Sequence, residues 1–367
     1  MKTIVNLVSE QTLPNYLFVK EMYEQGDNIL WIVSQSMLEA FDCLITALPN
    51  VPYIKMELEK NKEEDYTYIQ QILEKNINCN EEFCINLTGG TKFMILAVYN
   101  FFKDKCKQSN FFYKHLSKNT IININTQETK EIHWRITVKE YLTLCNIKIK
   151  EDEIFAPYLS FEDAKYMYSL LESNIYDSEE INTLRNGCYK GKKTYRNDLK
   201  QPINIDVLED EKIKQFIIKN NLPTKEKGKL DKYDVKYLTG EWLEDLIYYI
   251  TKENEKPDDI LKGIHIYKGE DELSDQELDV VYTKDNNFFI RECKTGFEKE
   301  KMFNEIVYKA AAIKTLFSIS MKSAIYCCRE KLDENERTTK KMNETLNKMG
   351  VTYFGKKEIE NEIDKFE

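Results

Sequence analysis

Three times in its first 105 residues the chain passes through an apolar run of strand length, breaks into a short polar loop and resumes with helical spacing. Thr3–Ser9 (TIVNLVS) leads through SEQTLPN into LPNYLFVKEMYEQ, with Gly26 as the stop. Ile29–Ser34 (ILWIVS) leads through SQSM into a helix beginning near Ser36, and Phe83–Thr88 (FCINLT) leads through TGGTK into KFMILAVYNFFK. Continuous apolar runs suit strands buried on both faces, and their alternation with helices predicts a doubly wound α/β sheet over residues 1–148. FFYKHL, TIININT and HWRITV follow too closely for helices between them and are expected to be antiparallel strands.

Beyond residue 148 the pattern changes. Residues 149–235 read as a linker and accessory segment with short helices at Phe161–Ser173 and Glu211–Asn220. A second α/β unit, residues 236–367, opens with the helix EWLEDLIYYI and continues with strands ELDVVYT and NNFFIRECK. A helix through NEIVYKAAAIKTLFSI and a strand SAIYCC follow. A chain of 367 residues is long for one core, which agrees with more than one domain.

Composition narrows the function classes. No window approaches the roughly 20 apolar residues of a membrane span, and no signal peptide is read, so a cytoplasmic protein is expected. The nine cysteines include no CxxC pair and only three histidines are present, so neither a zinc site nor a disulfide framework is expected. A net charge of −10 argues against coating nucleic acid along the whole surface, though not against a local basic groove. YKGKKTYR (Tyr189–Arg196) and TKEKGKLDK (Thr224–Lys232) are the two basic stretches, each more often a solvated loop than a binding patch.

Gly89 and Gly90 let a backbone approach a phosphate closely, and Thr88, Thr91 and Lys92 can donate to it. Neither GxxxxGK[ST] nor GxGxxG is present, so NTP hydrolysis is not indicated. Three polar strand-to-helix loops on one edge of one sheet, with no paired base and nucleophile, indicate a sensor. The order LVSEQTLPN, WIVSQSM, INLTGGTKFM resembles the CARF domain, the sensor of cyclic oligoadenylate messengers in type III CRISPR immunity. The resemblance implies a Rossmann-like fold and a homodimer whose two copies share one pocket. A ring of four adenylates matches a two-fold axis, so cyclic tetra-adenylate is the expected activator. The matching positions become candidate ligand contacts: Gln11, Thr12, Asn15, Ser34, Ser36, Met37, Thr88, Gly89, Gly90, Thr91 and Lys92.

QELDVVYTKDNNFFIRECKTG carries the sharper chemistry. Strand alternation puts Glu292 and Lys294 on one face and Cys293 on the other, and a hairpin at KDNN brings Asp279 alongside Glu292. Asp279, Glu292 and the carbonyl of Cys293 are hard oxygen donors suited to Mg²⁺ or Mn²⁺, with Lys294 placed to steady a water or a developing negative charge. On the preceding helix Trp242, Leu243, Leu246, Ile247 and Ile250 form an apolar stripe. Glu241 and Asp245 are expected on its wet side, and Glu244, bordering the stripe, is the preferred supporting carboxylate. Tyr308 and Lys309 are candidates to touch a nucleic-acid backbone, or else ordinary core and surface residues. Glu244, Asp279, Glu292 and Lys294 resemble the PD-(D/E)xK restriction-endonuclease-like core, although Leu278 stands where that signature has proline. With the sensor, the whole resembles the dimeric CARF nucleases activated by cyclic tetra-adenylate. That resemblance implies metal-dependent nicking of DNA and cleavage of single-stranded DNA or RNA. The alternative is a ligand-responsive nucleic-acid-binding regulator in which the ECK cluster is structural.

Overall fold

The computed structural model describes residues 1–115, 118–150, 156–172, 203–207, 211–221, 228–268, 276–296, 300–316, 321–328 and 336–366. The first domain is built on a seven-stranded sheet in the order β3-β2-β1-β4-β5-β6-β7. Its parallel members are β1 (Lys2–Leu7), β2 (Asn28–Val33), β3 (Tyr53–Glu57), β4 (Glu82–Asn86) and β5 (Ser109–Lys114). Two antiparallel strands, β6 (Thr120–Asn123) and β7 (Thr129–Glu131), close one edge. Helices α1 (Thr12–Met22), α2 (Leu38–Ala47) and α5 (Val138–Leu144) cover one face, and α3 (Tyr66–Asn76) and α4 (Lys92–Lys105) the other. Neighbouring residues of β1 divide accordingly, Ile4 packing with the first group and Val5 with the second.

This is the doubly wound α/β arrangement expected, with β3 and β7 as additional strands and two further differences. HWRITV forms no strand. Its chain crosses to the second domain, where the Ile136 N–H bonds Asn286, and Thr137 then caps α5. Cys79 and Cys106 form a disulfide, which the cysteine spacing did not announce.

Two short strands, β9 (Ile203–Asn204) and β10 (Lys229–Leu230), pair with each other, and the second domain has a six-stranded sheet in the order β15-β14-β13-β12-β11-β8. Strands β11 (Asp259–Lys268), β12 (Gln276–Lys284) and β13 (Asn287–Lys294) run antiparallel, while β14 (Met321–Cys327) and β15 (Val351–Phe354) continue in parallel. Its far edge is β8 (Ile147–Ile149), which follows α5 directly and pairs with β11. The helices Phe161–Glu172, Trp242–Glu255 and Lys356–Phe366 share one core with Val280, Cys293 and Tyr326. The helices Glu300–Leu316 and Glu336–Met349 pack with Ile325, Cys327 and Val351.

The two domains share a continuous core. Tyr141 of α5 stacks on Phe288 of β13, with ring centroids 4.7 Å apart, and Leu142, Leu144 and Ile147 join Leu278, Val281 and Ile290 in one buried cluster. Polar bonds reinforce this seam: Thr283 Oγ1 donates to the Ile136 carbonyl at 2.6 Å, and Asp259 accepts from the Val138 N–H at 2.8 Å. No described helix is long and apolar enough to cross a membrane. The stretch Tyr189–Arg196 and residues 224–227 of the second basic stretch lie outside the described residues.

Candidate active site and ligand-binding edge

Strands β12 and β13 join through Asp285 and Asn286, both at positive φ, the two-residue turn whose twist matches that of the flanking strands. The register pairs Val280 with Arg291, so Asp279 stands opposite Glu292 one step further on. Both are almost wholly buried. The Cys293 N–H donates to Asp279 Oδ2 at 2.6 Å and fixes that carboxylate. Lys294 Nζ then meets three oxygens at once: Glu292 Oε1 at 2.8 Å, the Cys293 carbonyl at 2.9 Å and Asp279 Oδ2 at 3.2 Å. One cation therefore already sits where these three oxygens converge. Because all three are hard donors, the set fits Mg²⁺ or Mn²⁺. Burial opposes the charged form of Lys294, but Asp279 and then Glu292 outweigh it and hold its pKa above the ordinary lysine value.

Around this point stands a wider ring of charge. Glu244, buried on the helix Trp242–Glu255, has its pKa raised well above the usual carboxylate range, first by burial and then by the charge of Asp279. Lys262 of β11 reaches Asp245 Oδ1 at 2.7 Å and Glu244 Oε2 at 3.7 Å. Carboxylate oxygens of Glu241, Glu244 and Glu277 lie within 4.8 Å of one another, and Lys236 pairs with both Glu241 and Glu277. Lys309, from the helix Glu300–Leu316, touches Glu292 Oε1 at 3.0 Å.

In the first domain the loops after β1 and β4 meet at the point where strand order reverses, the place where open α/β sheets bind ligands. Asn86 Nδ2 donates to Asn6 Oδ1 and Asn15 Oδ1, both at 3.0 Å, and Asn15 Nδ2 donates to the Leu7 carbonyl at 2.8 Å. Thr88 Oγ1 donates to Asn86 Oδ1 at 2.6 Å and accepts from the Lys114 N–H at 2.7 Å. Gly89 is pressed against the β1 loop: a Cβ there would collide with the Leu7 carbonyl oxygen. Gly90 has φ +81, which favours glycine. Thr91 Oγ1 caps α4 by accepting from the Met94 N–H at 3.2 Å.

Residues 3–141 match the family model described as the Card1 CARF domain, and residues 231–361 match that of the Card1-like endonuclease domain. The chain belongs to the Card1-type CARF endonucleases. Among solved structures it is similar to Can2 from Sulfobacillus thermosulfidooxidans in complex with cyclic tetra-adenylate. That likeness has 19% identity and a TM-score of 0.71, over 100% of this chain and 99% of that one. Protein VC1899 from Vibrio cholerae gives 16% identity and a TM-score of 0.73, over 100% and 97%. A type III CRISPR defence DNA nuclease activated by cyclic oligoadenylate gives 15% and 0.56, over 89% of this chain and 45% of that one. At such identities these likenesses concern the fold. No curated protein sequence matches the chain significantly.

In the CARF domain the candidate contacts fall into three groups by exposure. Thr12, Asn15, Ser34 and Gly89 are buried, and Thr12 Oγ1 is spent on the Leu144 carbonyl at 2.8 Å. Gln11, Met37, Thr88, Gly90 and Thr91 are half-buried, while Ser36 and Lys92 are exposed. In the endonuclease domain Asp279, Glu292, Lys294 and the Cys293 carbonyl come together, with Glu244 beside them. Asp245 departs from its expected wet side. It is fully buried, accepts from the N–H groups of Tyr158 and Leu159 at 3.0 and 2.9 Å, and is bonded by Tyr237. The helix is covered on that side by the accessory segment, which an isolated amphipathic pattern does not reveal. Asn86, Lys114 and Lys262 also contribute to these sites, and their only sign in the sequence is that of lone polar residues inside strand-length runs.

Proposed function

We propose that this CARF endonuclease is activated by a cyclic oligoadenylate, cyclic tetra-adenylate first, and hydrolyses phosphodiester bonds of DNA or RNA with Mg²⁺ or Mn²⁺. The observation that carries the reading is the convergence of Asp279 Oδ2, Glu292 Oε1 and the Cys293 carbonyl on one cationic group. With Glu244 these residues compose a PD-(D/E)xK site. Asp279, Glu292 and the Cys293 carbonyl would hold a divalent ion, which would supply polarisation of a phosphate oxygen and a lowered pKa for a bound water. The protein's own parts do the rest. The Cys293 N–H orients Asp279, and burial together with the charge of Asp279 raises the pKa of Glu244 beside it. Lys294, released from the three oxygens, offers its ammonium to the charge that develops on phosphate.

The sensor half of the reading rests on the loops after β1, β2 and β4 lying on one sheet edge, and on the cyclic tetra-adenylate held by the similarly folded Can2. A homodimer fits the exposed apolar residues Phe93 and Leu96 on α4, beside the glycine loop. The domain boundaries 1–148, 149–235 and 236–367 are retained, with β8 lending the first segment's end to the endonuclease sheet. Gating is assigned to the hairpin turn. Lys114, whose N–H bonds Thr88, donates through Nζ to the carbonyls of His115 and Lys118 at 2.9 and 3.0 Å. Next to Lys118, Asn119 Oδ1 accepts from Asn286 Nδ2 at 2.6 Å. A short run of polar bonds thus links the glycine loop to the turn of the hairpin that bears Asp279, Glu292 and Lys294.

Asp279→Asn and Glu292→Gln test the chemistry. Both should abolish Mn²⁺-dependent cleavage of plasmid and single-stranded RNA while leaving messenger binding intact. Full cleavage by either variant would defeat the active-site assignment.

A further inference from the structure

The helix Glu300–Leu316 buries Phe303, Ile306, Val307, Ala310 and Ile313, and Lys309 flanks that apolar face while Tyr308 points away, about half exposed. Lys309 Nζ reaches two acceptors: Glu292 Oε1 at 3.0 Å and the Glu277 carbonyl at 3.4 Å. It therefore ties the carboxylate of β13 to the backbone of β12 from a third element. Lys294 Nζ shares the same Glu292 oxygen but is also committed to Asp279 and Cys293. Only 2% of the Glu292 side chain is exposed, so once Lys294 gives up its position water cannot replace the lost partner.

We propose that Lys309 is a second active-site lysine, a positioning residue that holds the Glu292 carboxylate toward the divalent ion when the Lys294 ammonium has moved to the substrate phosphate. This rests on the nuclease reading above. Lys294 and Lys309 set two ammonium groups against the carboxylates of Asp279 and Glu292.

The test uses the full chain with Lys309→Met, which keeps the buried stem, and Lys309→Arg. Mn²⁺ binding is measured by calorimetry without nucleic acid, and kcat and KM for single-stranded substrate are measured with activator. Loss of an outer partner of a metal ligand typically costs 10–100-fold in affinity or activity. Lys309→Met should therefore bind Mn²⁺ about tenfold more weakly and lose about tenfold or more in kcat, with KM little changed. Lys309→Arg should recover most of the Mn²⁺ affinity. A rise in KM alone, with Mn²⁺ binding unchanged, would overturn the proposal and place Lys309 on the nucleic-acid backbone. Tighter Mn²⁺ binding in Lys309→Met would also overturn it, because the lysine would then be only a competing cation. If the unaltered protein binds no Mn²⁺, the parent nuclease reading fails instead.

Discussion

Replacing Asn286 by Asp changes one side-chain group at the turn of the hairpin that bears Asp279 and Glu292. Asn286 is buried at φ +60, a conformation Asp also tolerates, so the backbone need not move. Asn286 Oδ1 accepts from the Ile136 N–H at 3.0 Å, and an Asp oxygen can keep that bond. Nδ2 donates to Asn119 Oδ1 at 2.6 Å and to the Trp134 carbonyl at 3.0 Å; an Asp oxygen there faces two acceptors with nothing to donate. Two hydrogen bonds at about 1 kcal/mol each, plus buried acceptors left without donors, give roughly 2–4 kcal/mol of destabilisation. Allosteric couplings are themselves about 1–3 kcal/mol, a factor of about 5–150. Breaking this joint should therefore remove much of the gating. The assay is urea unfolding together with the ratio of cleavage rates with and without cyclic tetra-adenylate. Asn286→Asp should unfold at lower urea, and its stimulation ratio should fall at least about fivefold. Lost stability with an unchanged ratio would refute the hairpin turn as the transmitting element.

Gly89→Ala should damage the ligand-binding edge, since the new Cβ meets the Leu7 backbone oxygen and no flexible side chain can yield; messenger binding measured by calorimetry should be lost or much weakened. Burial holds Lys114 down at about 8, against 10.5 for a free lysine, so between those values the unfolded chain binds more protons than the folded one. Lys114 should consequently contribute a gain in stability from pH 8 toward pH 10.5, read as the difference between the urea-unfolding pH profiles of the unaltered protein and Lys114→Met. Parallel pH profiles for the two proteins would contradict it.

The cluster of Asp279, Glu292 and Lys294 was legible because strand geometry is short-range. A two-residue turn fixes the register of β12 on β13, and alternation then leaves Asp279, Glu292 and Lys294 no freedom to separate. Lys309 is 17 positions from Glu292 on another element, so local periodicity carried no sign of their contact. β3 was missed because all but one of its five residues are exposed, which erases the apolar run that marked β1, β2 and β4. HWRITV has strand-like composition, yet tertiary bonds to Asn286 and the cap on α5 claim its backbone. Asp245 was misplaced for the same kind of reason: its partners, Tyr158 and Leu159, come from 86 or more residues upstream.

The central claim is ligand-gated, metal-dependent cleavage, and one assay tests it most directly. Purified protein is incubated with supercoiled plasmid and single-stranded RNA in Mn²⁺, with and without cyclic tetra-adenylate. Nicking or strand cleavage should appear only when both Mn²⁺ and the messenger are present, and chelation should stop it. Equal cleavage without the messenger would contradict gating, and none under any cyclic oligoadenylate would contradict the nuclease.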